Sequence, residues 1–290
     1  VRAALAVLAL GLLASSGCIP SPPEAAPAAG ARPVQSPVPA VAAAGGDLVH
    51  VDFEGAPIGP YAPARAAADF GAASHFQGFA EGRAAVVATE QGRALRILYP
   101  HGSVGPEEGG AQFMVSIPGA HDELYCAYRV RFAAGFDFVR GGKLPGLVGG
   151  THPTGGHPDD GGFSARLMWR TGGAAVQYVY FPRQTTTYGV DLPYVVAGTP
   201  ARFQPGTWHR VEHRVVMNTP GQANGVLQAW IDGQPALDLH DRVWRLDASV
   251  HVDALYFSTF FGGNDPSWGA RRDESVDFDD FVVSTHPIGH

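Results

Sequence analysis

Lysine is almost missing from this sequence. Among its 20 Lys and Arg residues one is Lys, Lys143, and all the others are Arg. Arg stays charged at any physiological pH, whereas a desolvated Lys can lose its proton and act as a base. A lone Lys within Gly141-Gly142-Lys143-Leu144-Pro145-Gly146 therefore marks a position that a guanidinium does not fill, against the competing reading of chance survival on a loop. Cysteine is scarce as well. Cys18 and Cys126 are the only two, which excludes a disulfide-stapled scaffold, and Cys126 reads as a small buried hydrophobe. Positive charge is in deficit: the formal net charge is -7, which argues against a nucleic-acid partner. An acidic substrate fits only over a local basic cleft. No apolar run reaches the roughly 20 residues of a membrane-spanning helix, and there is no internal repeat.

What is present begins with a leader. Arg2, an apolar run from Ala3 to Ala14 and small residues up to Gly17-Cys18 have the order of a secretory signal over residues 1–18. Gly17-Cys18 fits a lipoprotein box, although Ser15 stands where such boxes usually carry Leu; an ordinary signal cut near Ser16 is the alternative. Val1 in place of Met is consistent with a bacterial alternative start. The expectation is an exported bacterial protein, secreted or held at the cell envelope by a lipid on Cys18, with no other membrane contact. Residues 19–46 are nearly all Ala, Pro, Gly and Ser. They cannot bury enough apolar surface to offset their ordering entropy and read as an extended tether.

From residue 47 to residue 290 the pattern is period-2 alternation. Strands are predicted at Leu48–Phe53, Ala94–Tyr99, Tyr125–Phe132, Ser164–Arg170, Val176–Phe181, His209–Asn218, Val226–Ile231, Leu255–Phe261 and Val276–Val283. Thr171-Gly172-Gly173, Pro220-Gly221 and Asp232-Gly233 supply turns, and no long amphipathic helix interrupts them. This predicts one all-β domain, an antiparallel β-sandwich of jelly-roll, concanavalin-like type, expected to be a monomer.

Three clusters carry chemistry. The first is the Lys143 segment, which is not a phosphate loop because Asp137 and Leu144 break the Walker pattern. The second is Gly162-Phe163-Ser164-Ala165-Arg166-Leu167-Met168-Trp169-Arg170. Strand alternation puts Ser164, Arg166, Met168 and Arg170 on one face, a basic floor for a groove, or else an ordinary solvated face. Arg166 also breaks the Gly-x-Ser-x-Gly pattern of a hydrolase elbow. The third is Gln177-Tyr178-Val179-Tyr180, with both phenols on one face of the neighbouring strand, although simple aromatic packing explains such a pair equally well.

In this order and spacing, Gly142-Lys143-Leu144-Pro145-Gly146-Leu147, Gly162-Phe163-Ser164-Ala165-Arg166-x-x-Trp169-Arg170 and Tyr178-x-Tyr180 resemble polysaccharide lyase family 14, which holds alginate and polyglucuronate lyases. The resemblance continues through Trp208-His209, Asn218-Thr219-Pro220-Gly221, Asn224-Gly225 and Phe257-Ser258-Thr259-Phe260-Phe261-Gly262-Gly263. It implies a jelly roll with an acidic polysaccharide in a cleft across one sheet, cleaved by β-elimination to leave an unsaturated uronate end. It also implies functional roles for Lys143, Ser164, Arg166, Tyr178 and Tyr180. Arg166 would bind the uronate carboxylate, with Arg170 beside it, and Ser164 would orient the sugar. Lys143 would be base or charge neutraliser and Tyr178 or Tyr180 the acid, a division the residues leave open. Residues 47–120 and the 151–161 loop match less clearly and could hold specificity.

Weaker signals surround these. The segment Thr151-His152-Pro153-x-x-x-His157-Pro158-Asp159-Asp160 has metal-compatible side chains but reads better as a flexible cleft-edge loop. Asp277, Asp279 and Asp280 are compatible with a structural Ca²⁺. No metal is assigned to the site and no cofactor is required. His209 and His213 share a strand face, with cleft, core and surface all open to them. A glycoside hydrolase would need two carboxylates flanking the bond, and the groove strands carry no such pair. The serious rival is a non-catalytic acidic-glycan-binding module, which would not need the lone Lys.

Overall fold

The computed structural model describes residues 46–289, so the signal expected over 1–18 and nearly all of the tether expected over 19–46 lie outside the described residues. Two antiparallel sheets face one another. The back sheet runs Gln234–Arg242, Gly225–Ile231, Trp208–Val216, Glu123–Phe132, Glu274–Ser284, Gly92–Tyr99, Ala84–Thr89 and Gly59–Pro60, with Asp47–Val51 also on Glu274–Ser284. The front sheet runs Val190–Pro193, Ala175–Tyr180, Gly162–Arg170, Gly141–Gly150, Val252–Thr259, Ala111–His121 and Ala73–Gln77. This is the β-sandwich that the alternation predicts.

The inner faces make one core. On the back sheet Cys126, Tyr128, Val130 and Phe132 are fully buried, as their shared face requires. On the front sheet Leu167 and Trp169 turn inward, and Trp169 meets Phe132 of the back sheet with ring centroids 5.4 Å apart. Phe113 and Phe257, on adjacent front strands, stack at 4.6 Å. Such aromatic pairs add roughly 0.5–1.5 kcal/mol each beyond their buried area. One short helix, Pro63–Phe70, starts on Pro63 and buries Ala66 and Phe70.

The Lys143 segment differs most from its expected form. Its Gly and Pro content suggests a loop, because both residues are depleted in strands. It is instead a central strand, Gly141–Gly150, paired on both sides. Its register to Gly162–Arg170 shifts between Leu144 and Gly146, leaving Pro145, which has no N–H to offer, out of the ladder. The extra residue restores the alternation. Leu144 and Leu147 both reach the core, while Lys143 faces outward opposite Met168 and Gly146 lies opposite Arg166. The back sheet grips this bulge. The Tyr128 hydroxyl donates to the Pro145 carbonyl at 3.0 Å, and Nε2 of His213 accepts from the Leu147 amide at 3.2 Å.

Candidate active site

The outer face of the front sheet is aligned across the strands. One row of mutual register partners runs Asp191, Tyr178, Arg166, Gly146, Tyr256, Met114, Ser74. A flanking row sets Val176, Met168 and Lys143 side by side, and on the other flank Tyr180 sits beside Ser164. Met168, Val176, Tyr178 and Tyr180 form an apolar patch separate from the main core. Over it lies a cleft of about 440 Å³ whose walls include Lys143, Arg166, Arg170, Tyr178, Tyr180 and Tyr256.

Five of the six residues singled out in the sequence therefore meet in one cleft. Ser164 is the exception. It has no exposed surface, is absent from the cleft walls, and its Oγ has no hydrogen-bond partner. Ser164 is the register partner of Tyr180 on the neighbouring strand.

Arg166 is the electrostatic centre. It is 2% exposed, and its Nη1 donates to Ser258 Oγ at 3.1 Å. Nε and Nη2 are buried without partners, and the guanidinium stacks 4.9 Å over the Tyr256 ring. No carboxylate pairs with it among the described residues. A buried charge without a counter-ion costs on the order of several kcal/mol, so this position is built to receive an anion. Arg170 differs: it holds Asp191 through two contacts, at 2.6 and 2.8 Å, on the cleft rim.

Lys143 is buried beside these cations. Its Nζ lies 2.8 Å from the Met168 thioether sulfur and 3.6 Å from the Tyr178 ring centroid. A protonated amine would gain from that ring face. Burial and then the charges of Arg166 and Arg170 outweigh the gain and hold the amine well below its usual range. Asp191 opposes them but is committed to Arg170. Burial therefore favours the uncharged form of this amine, which lies over an aromatic floor.

The two phenols are fixed by backbone. The hydroxyl of Tyr178 accepts from the Gly189 amide and that of Tyr180 from the Gly156 amide, each at 3.0 Å. Burial first, and then the neighbouring Tyr180, push the Tyr178 phenol up, so it stays protonated at neutral pH. The rings meet edge-to-face at 5.6 Å.

Other cleft residues are less legible in sequence. Tyr256 donates to Gln112 Oε1 at 2.9 Å, and its place opposite Phe257 in the strand alternation is the signal that points it outward. Trp268, at the end of the short 3₁₀ helix Pro266–Trp268, carries Arg140 4.6 Å over its ring, and no local pattern announces it.

The secondary signals fall elsewhere. Thr154 and Gly155 place the 151–161 loop on the cleft edge, and His152 bonds Asp253 at 2.6 Å. No group of three or more His, Cys, Asp or Glu able to hold a metal occurs among the described residues. Asp277 pairs with Arg96 and Arg131, and Asp279 and Asp280 face Arg129 on the back sheet, so guanidiniums occupy the surroundings in which a Ca²⁺ was conceivable. His213 is core, and His209 bonds Asp232 at 2.7 Å; neither lines the cleft.

Known proteins share this architecture. An alginate lyase of Aplysia kurodai is 28% identical over 83% of this chain and 99% of its own, with a TM-score of 0.72. The alginate lyase Aly36B is 26% identical over 83% and 98%, also at 0.72. The Chlorella virus alginate lyase vAL-1, at 23% identity over 74% and 92% and a TM-score of 0.64, shares the fold. No curated protein sequence matches. The family model for polysaccharide lyase 14 matches residues 87–281, two thirds of the sequence and every residue singled out for the cleft chemistry, and the chain belongs to that family.

Proposed function

We propose that this lyase acts on alginate, through Arg166, Lys143 and a tyrosine. The observation that carries the reading is Arg166, a buried guanidinium with two unpartnered nitrogens, Nε and Nη2, and no carboxylate pairing with it among the described residues, next to an amine whose burial favours the uncharged form. A uronate carboxylate at Arg166 would complete its hydrogen bonds and lose the charge that otherwise resists removal of the adjacent C5 proton. Lys143 takes that proton. The electron pair left on C5 is delocalised into the carboxylate and then forms the C4–C5 double bond as the C4–O4 bond breaks. Tyr178 or Tyr180 returns a proton to O4, and Tyr178 is held protonated for that purpose. Alginate is the first substrate to try because the relatives at 28% and 26% identity are alginate lyases.

The test is ultraviolet absorbance with alginate, its block fractions and polyglucuronate. Each cut leaves a double bond conjugated to a carboxylate, so a rising signal is expected, ranked by substrate. A flat trace over a broad pH range, with the folded protein still retarded by the same polymers, would leave a binding module. We further read Cys18 as a lipid anchor; labelled palmitate should enter the wild type and not Cys18→Ala.

A further inference from the structure

The register row continues past the residues assigned to chemistry. From Arg166 it runs on through Gly146, Tyr256 and Met114 to Ser74 on the Ala73–Gln77 strand at the sheet edge. Seven strands at about 4.8 Å spacing make a floor about 29 Å wide, long enough for several sugar rings. A second hollow of about 610 Å³ covers the far part and shares Gln112, Thr154 and Tyr256 with the cleft. The two form one groove.

Their chemistry differs sharply. Two guanidiniums, Arg166 and Arg170, and the amine of Lys143 line the first part. No Lys, Arg, Asp or Glu lines the second, whose polar groups include Ser74, His75, Gln77, Gln112 and Ser116. His152 on its wall is already bonded to Asp253. A hydrogen-bonded chain runs from Tyr256 to Gln112 and on to Gln77, which holds these amides in place along the floor. The Ala73–Gln77 strand lies outside residues 87–281, which the family model matches.

We propose that the far part of the groove is a saccharide-binding stretch that grips sugar hydroxyls and leaves the carboxylates of those units in solvent. Amide and hydroxyl groups match sugar hydroxyls as donors and acceptors, whereas a carboxylate buried there would meet no cation. The sugar at Arg166 is thus read by charge, and the units beyond it by neutral hydrogen bonds. The occupant rests on the polyuronate reading above, but its test does not require turnover.

The test is binding of a polyuronate trisaccharide and an octasaccharide to wild type, Ser116→Trp and His75→Ala, at low and high ionic strength. Ser116 is exposed on the groove floor, so Trp obstructs it without entering the core, and the trisaccharide reports whether the fold and the Arg166 site survive. Wild type should bind the octasaccharide roughly tenfold tighter than the trisaccharide. That ratio should persist at high salt, collapse in Ser116→Trp and shrink in His75→Ala, with trisaccharide affinity unchanged. A ratio that survives Ser116→Trp, is absent in wild type, or vanishes with salt overturns the proposal. Length-dependent binding without any unsaturated product would instead overturn the lyase reading and leave this one standing.

Discussion

Arg166 sets stability against activity at a single side chain. Its guanidinium is buried, with no carboxylate pairing with it among the described residues. Arg166→Met should therefore raise the free energy of unfolding, by about 1–4 kcal/mol if it follows other buried charges replaced by apolar groups, while eliminating product formation. Chemical denaturation and the absorbance assay on one preparation check both. Lys143 makes a complementary case. If it takes the C5 proton as proposed, activity should be lost as acid protonates it, so kcat falls on the acid side and recovers as pH rises, in a range that burial and then the two arginines move below that of an ordinary lysine. Lys143→Arg should keep polymer binding and lose turnover at every pH. Near-wild-type kcat in that variant would remove Lys143 from proton transfer.

At the scale of elements, the bulge in Gly141–Gly150 positions that base. The shift at Pro145 sends Leu144 and Leu147 to the core and Lys143 to the cleft, and two back-sheet side chains hold it across the core. Tyr128→Phe removes the bond to the Pro145 carbonyl and leaves a buried acceptor unpaired. It should cost about 1–3 kcal/mol of stability. Because Tyr128 is far from the groove surface, its loss should lower kcat through the placement of Lys143 and leave KM little changed. A variant with lower stability and unchanged kcat would show that the bulge is held by the front sheet alone. Close packing adds a second constraint. A Cβ on Gly146 would lie 2.4 Å from the Ala165 carbonyl oxygen and 2.6 Å from the Arg166 Cα, so the glycine lets this strand lie against the arginine strand.

Over the whole molecule, two buried groups set opposite pH limits. His213 lies in the core with its pKa lowered by burial to about 3, against 6.5 unperturbed. Between those values the unfolded chain binds a proton the folded one refuses, so stability falls as pH drops from about 6.5 to about 3. Asp279 behaves oppositely. Burial, and then the charge of Asp280, raise its pKa to about 8; Arg129 sits nearer to Asp280, 3.2 Å against 3.6 Å. From 3.8 to about 8 the folded state binds the extra proton, so stability falls as pH rises through that window. Asp279→Asn keeps an acceptor for the Asp280 amide and should gain on wild type steadily toward pH 8, as a denaturant midpoint series would show. A difference that does not vary with pH would mean that Asp279 is ionised in the folded protein.

Period-2 alternation was sufficient to determine the sandwich, because a strand with one face in the core must alternate, and Cys126 to Phe132 and Ser164 to Arg170 lie as their spacing requires. The lone Lys, the paired Arg and Tyr-x-Tyr also marked the cleft residues, since each carries chemistry its neighbours lack. Long-range register decided the rest. Gly141–Gly150 is poor in strand formers and becomes a strand because its neighbours pair with it on both sides and its bulge absorbs the proline. Ala73–Gln77 and Ala111–His121 reach the groove only through strand order, which no local pattern encodes. Ser164, on the same strand face as Arg166, lies buried while Arg166 opens to the cleft. Alternation states which side of a sheet a residue takes; whether that side is covered depends on loops and strands distant in sequence, which only the tertiary structure brings there.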